Sequence, residues 1–161
     1  IFKNNPQQSF EKLFIKPITA KAGVTITDGD MSVLPIPANH EQILLPMIYA
    51  IERKNRRVLI ANDTGMLSDE SWALLKGLRL DAAVIESTCG LKGANCINGH
   101  LGLNTTVAFR DRLREMGCLT PESQVITNHF SHNGGLNHPD MVETYGRHGI
   151  TVAFDGMVIT V

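Results

Sequence analysis

The alternation of short apolar strands with helices after Arg57 is the feature that most constrains how this chain can fold. Strands and helices are predicted to alternate over residues 58–61, 68–78, 82–85, 103–116, 124–127 and 137–149. Ser68 and Asn137 carry side chains that can cap the first turn of a helix, and Gly149 is expected to end the last helix. Strands separated by helices predict an α/β layer with a largely parallel sheet.

The preceding segment, residues 12–52, has a different pattern. Short apolar runs at 13–18, 24–26, 31–36 and 47–51 are separated by turn residues, and Asp28-Gly29-Asp30 is a hairpin signal. This segment therefore predicts a β-meander. A second hairpin is predicted at the end of the chain, where 150–154 and 157–161 flank Asp155-Gly156.

Composition narrows the class of protein. A chain of 161 residues fits one domain, and 15 basic against 16 acidic residues give a net charge of −1. General nucleic-acid binders have an excess of Lys and Arg, so nucleic acid is not an expected partner. No apolar run approaches the ~18 residues of a membrane span, so no membrane partner is expected.

The spacing of the three cysteines matches neither a disulfide ladder nor a CxxC site; they are Cys89, Cys96 and Cys118. Reduced thiols in the cytoplasm are therefore expected.

Polar side chains collect where the predicted strands end. Asp63 follows the first strand after the meander, and a Gly-rich loop ending in His100 follows the second. His129 and His132 follow the third strand, and His40 ends a strand of the meander. Ligands bind at the carboxyl ends of parallel strands. Imidazole and carboxylate together form a donor set for Zn, Mn or Fe.

Two other classes of function stay open at this point. Cys89 could act as a nucleophile paired with His100 or His129 in a metal-independent hydrolase. Alternatively, the histidines are surface residues of a non-enzymatic α/β binding domain. A single loop histidine is more often a surface residue or a cap than a metal ligand. His138 is expected at the start of a helix and His148 at the end of that helix, where a partial positive charge is favoured.

These residues resemble the phosphodiesterase branch of the metallo-β-lactamase superfamily, which includes the cyclic phosphodiesterases of phosphonate breakdown and RNase Z. His40 before an apolar strand resembles the third metal histidine, and Asp63-Thr64 resembles the carboxylate that bridges two metals. His100 in Gly99-His100-Leu101 resembles the catalytic histidine of the branch, and His129 resembles the last metal ligand. The resemblance runs over about residues 12–161.

The resemblance implies a metal-dependent hydrolase of a small or cyclic phosphodiester with two divalent ions, Zn or Mn. His40, Asp63 and His129 would be ligands, His100 would act on the phosphate or the leaving group, and His132 would contact substrate or support a ligand. The HxHxDH motif of the superfamily is absent from these 161 residues. Residues 1–161 are therefore expected to be a partial domain, the C-terminal half of an αββα sandwich. Such a fragment would be weakly active or inactive alone, and it could lack bound metal.

The sandwich fold also implies an apolar sheet face that the other half would cover. Ile18, Val24, Val33 and Ile48 are expected on that face, and exposed apolar area of this size favours association. The chain is therefore expected to form a homodimer or to self-associate.

Overall fold

A computed structural model describes residues 16–161, which form a seven-stranded mixed sheet and three α-helices. The strands lie side by side in the order of the chain. Their bounds are β1 Ile26–Asp28, β2 Met31–Pro37, β3 Met47–Arg53, β4 Arg56–Ala61, β5 Leu80–Glu86, β6 Leu119–Asn128 and β7 Thr151–Val152. The helices are α1 Asp69–Leu75, α2 Leu103–Glu115 and α3 His138–Gly146, and 3-10 turns occur at Gln42–Leu44 and His132–Gly134.

Strands β1 to β4 form the antiparallel meander that the sequence predicts. Gly29, at φ +59°, lies in the turn that pairs Asp28 with Met31, because a tight hairpin turn needs this left-handed backbone. In the first predicted run, residues 13–15 lie outside the described residues, and 16–18 form no strand. The 24–26 run contributes only its last residue to β1.

Strands β4 to β7 are parallel, as the alternating pattern predicts. The side chain of Ser68 accepts a hydrogen bond from Ser71 N and caps α1. Asn137 caps α3 in the same way through Asp140 N. These caps satisfy backbone donors that a helix leaves unpaired at its start, so both helix starts were predictable from local sequence. Helix α3 ends at Gly146, and Gly149 (φ +68°) lies in the turn before β7.

The helices cover one face of the sheet. Alternate strand residues on that face, among them Leu59 and Ile85, are fully buried against helix residues such as Trp72, Phe109 and Tyr145. This burial supplies the main stabilising term of the domain. Among the described residues, no helix combines the length and apolarity that a bilayer crossing requires.

The opposite face of the sheet is apolar, and none of the helices in residues 16–161 packs on it. We call it the open face; it includes Val33, Ile51, Val58, Ile60 and, more exposed, Tyr49. Ile48 does not belong to it, contrary to the prediction: it is 1% exposed and lies in the core on the helix side. Side chains alternate between the two faces along a strand, so Tyr49 and Ile51 lie on the open face and Ile48 lies on the helix side. A short run in which every residue is apolar does not show which residues take which face. Ile18 and Val24 are exposed but precede the sheet.

The predicted C-terminal hairpin is wrong. Asp155-Gly156 does form a turn, closed by Met157 N donating to Phe154 O at 3.0 Å, but 157–161 is not a strand. Strand β7 is only two residues long and pairs in parallel with β6. The end of the chain instead passes β6, where the side chain of Gln124 donates to Thr160 O at 2.7 Å.

Candidate metal centre

The predicted site residues leave the sheet at one edge. Asp63 follows β4, His129 follows β6, and His100 lies in the loop between β5 and α2. Because β4, β5 and β6 are parallel, their carboxyl ends lie together. His40 joins them from the turn after β2.

The four side chains converge as the sequence analysis expects. The Nε2 atoms of His40 and His100 are 3.4 Å apart, and His129 Nε2 is 3.4 Å from Asp63 Oδ1. His40 Nε2 is 4.0 Å from the same Asp63 oxygen, and the rings of His100 and His129 stack at 5.8 Å. This group of His40, Asp63, His100 and His129 is called the His–Asp cluster below.

Glu86 is a site residue that the sequence analysis did not single out. Its side chain is fully buried at the end of β5 and lies 2.9 and 3.1 Å from His100 Nδ1. Backbone N–H groups of Thr64, Thr88 and Leu101 donate to the same carboxylate at 2.7, 3.2 and 3.2 Å. A buried charge is tolerated when it is fully hydrogen-bonded, so Glu86 joins the loop after β4 to both ends of the loop between β5 and α2.

The contact with Glu86 also orients His100. A carboxylate accepts hydrogen bonds only, so His100 donates from Nδ1 and directs Nε2 toward the cluster. One local signal marked Glu86: it is the acidic residue that closes the apolar strand Leu80–Glu86. Three of its partners, Thr64, His100 and Leu101, are distant in sequence, however, and only the fold reveals them.

Asn39 holds the neighbouring loops in place. Its side-chain amide donates to Met66 O at 3.0 Å and Ile97 O at 3.1 Å, and its backbone N donates to Thr64 Oγ1 at 3.0 Å. Gly65 lets these loops approach, because a Cβ there would lie 2.1 Å from Ile97 O. The spacing of the His–Asp cluster is thus set by direct contacts between its loops.

His132, predicted to contact the substrate or to support a ligand, is not joined to the His–Asp cluster in the part of the chain that the structure describes. His132 is exposed in a 3-10 turn, and among the described residues no side-chain hydrogen bond joins it to the cluster.

Burial, followed by contact with Cys96, raises the pKa of the Cys89 thiol to about 11. A thiol of that pKa is protonated at neutral pH, which disfavours Cys89 as a nucleophile. His138 starts α3 and His148 follows its end, as expected.

The donor set of the cluster fits a divalent transition-metal ion. Ligand atoms of Asp63, Glu86, His100 and His129 lie within 4.8 Å of one another. Bond lengths of 2.0–2.1 Å in a tetrahedral site place neighbouring donors about 3.3 Å apart. The 3.4 Å separation between His129 Nε2 and Asp63 Oδ1 matches that spacing. The ligand roles of His40, Asp63 and His129 and the catalytic role of His100 stay predictions.

Solved structures with a similar fold are metallo-β-lactamase fold proteins. YhfI from Bacillus subtilis matches with a TM-score of 0.69 and 14% identity, over 98% of this chain and 62% of its own. Zn²⁺-bound PqqB from Methylobacterium extorquens matches with a TM-score of 0.61 and 16% identity, over 91% and 56%. A diphosphatase of the PhnP family matches with a TM-score of 0.59 and 19% identity, over 96% and 53%.

These matches cover almost all of this chain but only between half and two thirds of each neighbour. No protein-family model matches the sequence, and the search of curated proteins gives no significant match. At such low identities the structural similarity establishes the fold alone.

Proposed function

Because this chain has the metallo-β-lactamase fold and a His–Asp cluster at its carboxyl edge, we propose that it acts as a metal-dependent hydrolase of small or cyclic phosphodiesters. The observation that carries this proposal is the convergence of His40, Asp63, His100 and His129 around one point, with Glu86 behind them. Imidazoles that present Nε2 atoms to a carboxylate suit the binding of Zn or Mn.

In this proposal His40, Asp63 and His129 hold the metal, with Asp63 placed between the two histidines. A divalent ion supplies Lewis acidity and lowers the pKa of a bound water. His100 directs Nε2 into the cluster, and a second proton carried on that atom, beside the one on Nδ1, would go to the leaving oxygen. Glu86 keeps His100 in that orientation, and its charge offsets the positive charge of a doubly protonated His100.

Two observations favour a phosphodiester as substrate. One structural neighbour is a diphosphatase of the PhnP family. The net charge of −1 provides little long-range attraction for a nucleic acid, so a small or cyclic ester suits this chain better.

Turnover by these 161 residues alone should be weak. Three predicted ligands shared by two ions give each ion about two protein donors, whereas catalytic zinc sites use about three. A version extended upstream should be faster if the added residues supply an HxHxDH segment, and equal turnover by both would contradict this expectation.

Hydrolysis of bis(p-nitrophenyl) phosphate with added Mn²⁺ or Zn²⁺ tests the proposal. We expect activity that a chelator removes, that His129→Gln abolishes, and that the control His148→Gln retains. Hydrolysis that resists chelator and disappears in Cys89→Ser would instead identify a Cys–His hydrolase. Absence of both hydrolysis and metal binding, also in the extended version, would leave the non-enzymatic binding domain.

A further inference from the structure

Thr88 makes two contacts with His129 through a single hydroxyl group. Its Oγ1 lies 2.7 Å from His129 Nδ1 and 2.9 Å from the backbone carbonyl O of the same residue. The backbone N of Thr88 donates to Glu86 Oε2 at 3.2 Å, so Thr88 is itself anchored to the buried carboxylate. This residue therefore links the end of β5 to the loop after β6.

The protons in this contact can be assigned from chemistry. A threonine hydroxyl has one proton to donate, and a carbonyl oxygen can only accept. The hydroxyl proton therefore goes to the carbonyl of His129, and Nδ1 of the ring donates to Thr88 Oγ1. With the opposite assignment, two oxygen atoms would face each other at 2.9 Å with no proton between them.

A neutral His129 with its proton on Nδ1 has a lone pair on Nε2. That atom lies 3.4 Å from Asp63 Oδ1, which is also an acceptor when ionised. Two acceptors at this distance are stabilised by a cation between them. The backbone of His129 has φ +57°, a strained left-handed conformation, and the bond from Thr88 to its carbonyl helps to hold it.

We propose that Thr88 is a positioning residue that fixes the tautomer and ring orientation of His129, so that Nε2 is offered to a divalent ion shared with Asp63. This inference rests on the proposed function in taking His129 as a metal ligand. Partners of the second ring nitrogen commonly fix a ligating histidine, and their loss typically lowers metal affinity 10–100-fold.

The tautomer can be measured without metal. Ring ¹H–¹⁵N correlation spectra of the metal-free chain at pH 8, with His129 assigned from His129→Gln, report which ring nitrogen carries the proton. We expect Nδ1 in the wild type and in Thr88→Ser, and a shift toward Nε2 in Thr88→Val. Thr27→Val, in β1 at the far edge of the sheet, is the matched control. An Nε2 proton in the wild type would overturn the inference without any variant.

Zn²⁺ titration against a competing chelator gives the second readout. Thr88→Val should bind Zn²⁺ about 10–100-fold more weakly than the wild type, and Thr88→Ser should restore binding. Unchanged tautomer and affinity in Thr88→Val, with His129→Gln still weakening Zn²⁺ binding, would overturn the role of Thr88 alone. If His129→Gln binds Zn²⁺ as the wild type does, His129 is not a ligand and the proposed metal site fails.

Discussion

Asp63 Oδ1 lies 3.4 Å from His129 Nε2, and both residues have left-handed backbones, with φ of +49° and +57°. Each such conformation costs a non-glycine residue about 1–2 kcal/mol. The two strained residues come from different loops and meet at the same point. Backbone strain of this kind is concentrated at functional sites, where surrounding contacts maintain it.

Replacing Asp63 with Asn should separate metal binding from folding. Asparagine tolerates a left-handed backbone, so the stability of the metal-free chain should change by less than about 0.5 kcal/mol. Loss of the carboxylate should remove the rise in melting temperature that Zn²⁺ or Mn²⁺ gives the wild type. Thermal unfolding with and without metal measures both effects. Asp155→Asn, in the exposed turn near the end of the chain, is the control; metal stabilisation of Asp63→Asn equal to the wild type would contradict the ligand role.

Replacing Glu86 with Gln should destabilise the fold and disorder the site. The amide would place its NH₂ against donors that now bond the carboxylate, at a cost of about 2–4 kcal/mol. His100 would lose its acceptor, so any metal-dependent hydrolysis should fall more than tenfold. Urea unfolding and the phosphodiesterase assay test the two effects. Glu115→Gln, exposed at the end of α2, should leave both unchanged; a stable, fully active Glu86→Gln would refute this role of Glu86.

Alkylation of Cys89 should be slow at neutral pH and increase up to about pH 11. Burial raises its pKa from 9.0 to about 11, so about one thiol in a thousand is ionised at pH 8. Because the folded state holds this proton more tightly than the unfolded state, its contribution to stability is present below pH 9 and is lost as the pH rises through about 11. Mass spectrometry of iodoacetamide-labelled peptides over pH 7–11 measures the rate. Fast labelling at pH 7 would restore Cys89 as a candidate nucleophile.

Association of the chain through its open face stays a prediction. Tyr49 is 37% exposed on that face, whereas Val142 is 47% exposed on helix α3. We expect light scattering at micromolar concentration to show a dimer or larger species for the wild type and for Val142→Glu. Tyr49→Glu should shift the chain toward monomer, because a carboxylate in an apolar interface is costly to desolvate. A monodisperse wild-type monomer would contradict the prediction.

Local signals in the sequence predicted much of the fold. The cap residues Ser68 and Asn137 and the turn at Gly29 act within a few residues of themselves, and the structure has each of them where expected. Asp155-Gly156 shows the limit of such signals. It encodes a bend, but a strand also needs a free neighbouring edge, and that depends on the whole sheet.

The same contrast between patterns visible in the sequence and contacts visible only in the fold applies to the site. The convergence of His40, Asp63, His100 and His129 was predictable because polar residues that follow strands running in the same direction meet at one edge of a sheet. Glu86 was not, because its importance comes from donors that approach from loops far along the chain.

The order of the strands in the sheet has a consequence for how the molecule is made. Each strand neighbours its successor in the chain, so every strand can dock on one already in place as the polypeptide leaves the ribosome. The meander closes through short turns and can form early, whereas β5 and β6 return only after a helix has been inserted. His40 and Asp63 belong to the part of the chain that is synthesised first, and His129 belongs to the part that follows. If His40, Asp63 and His129 bind one ion as proposed, that ion would connect the first-synthesised strands to the later ones and stabilise the folded sheet against their separation.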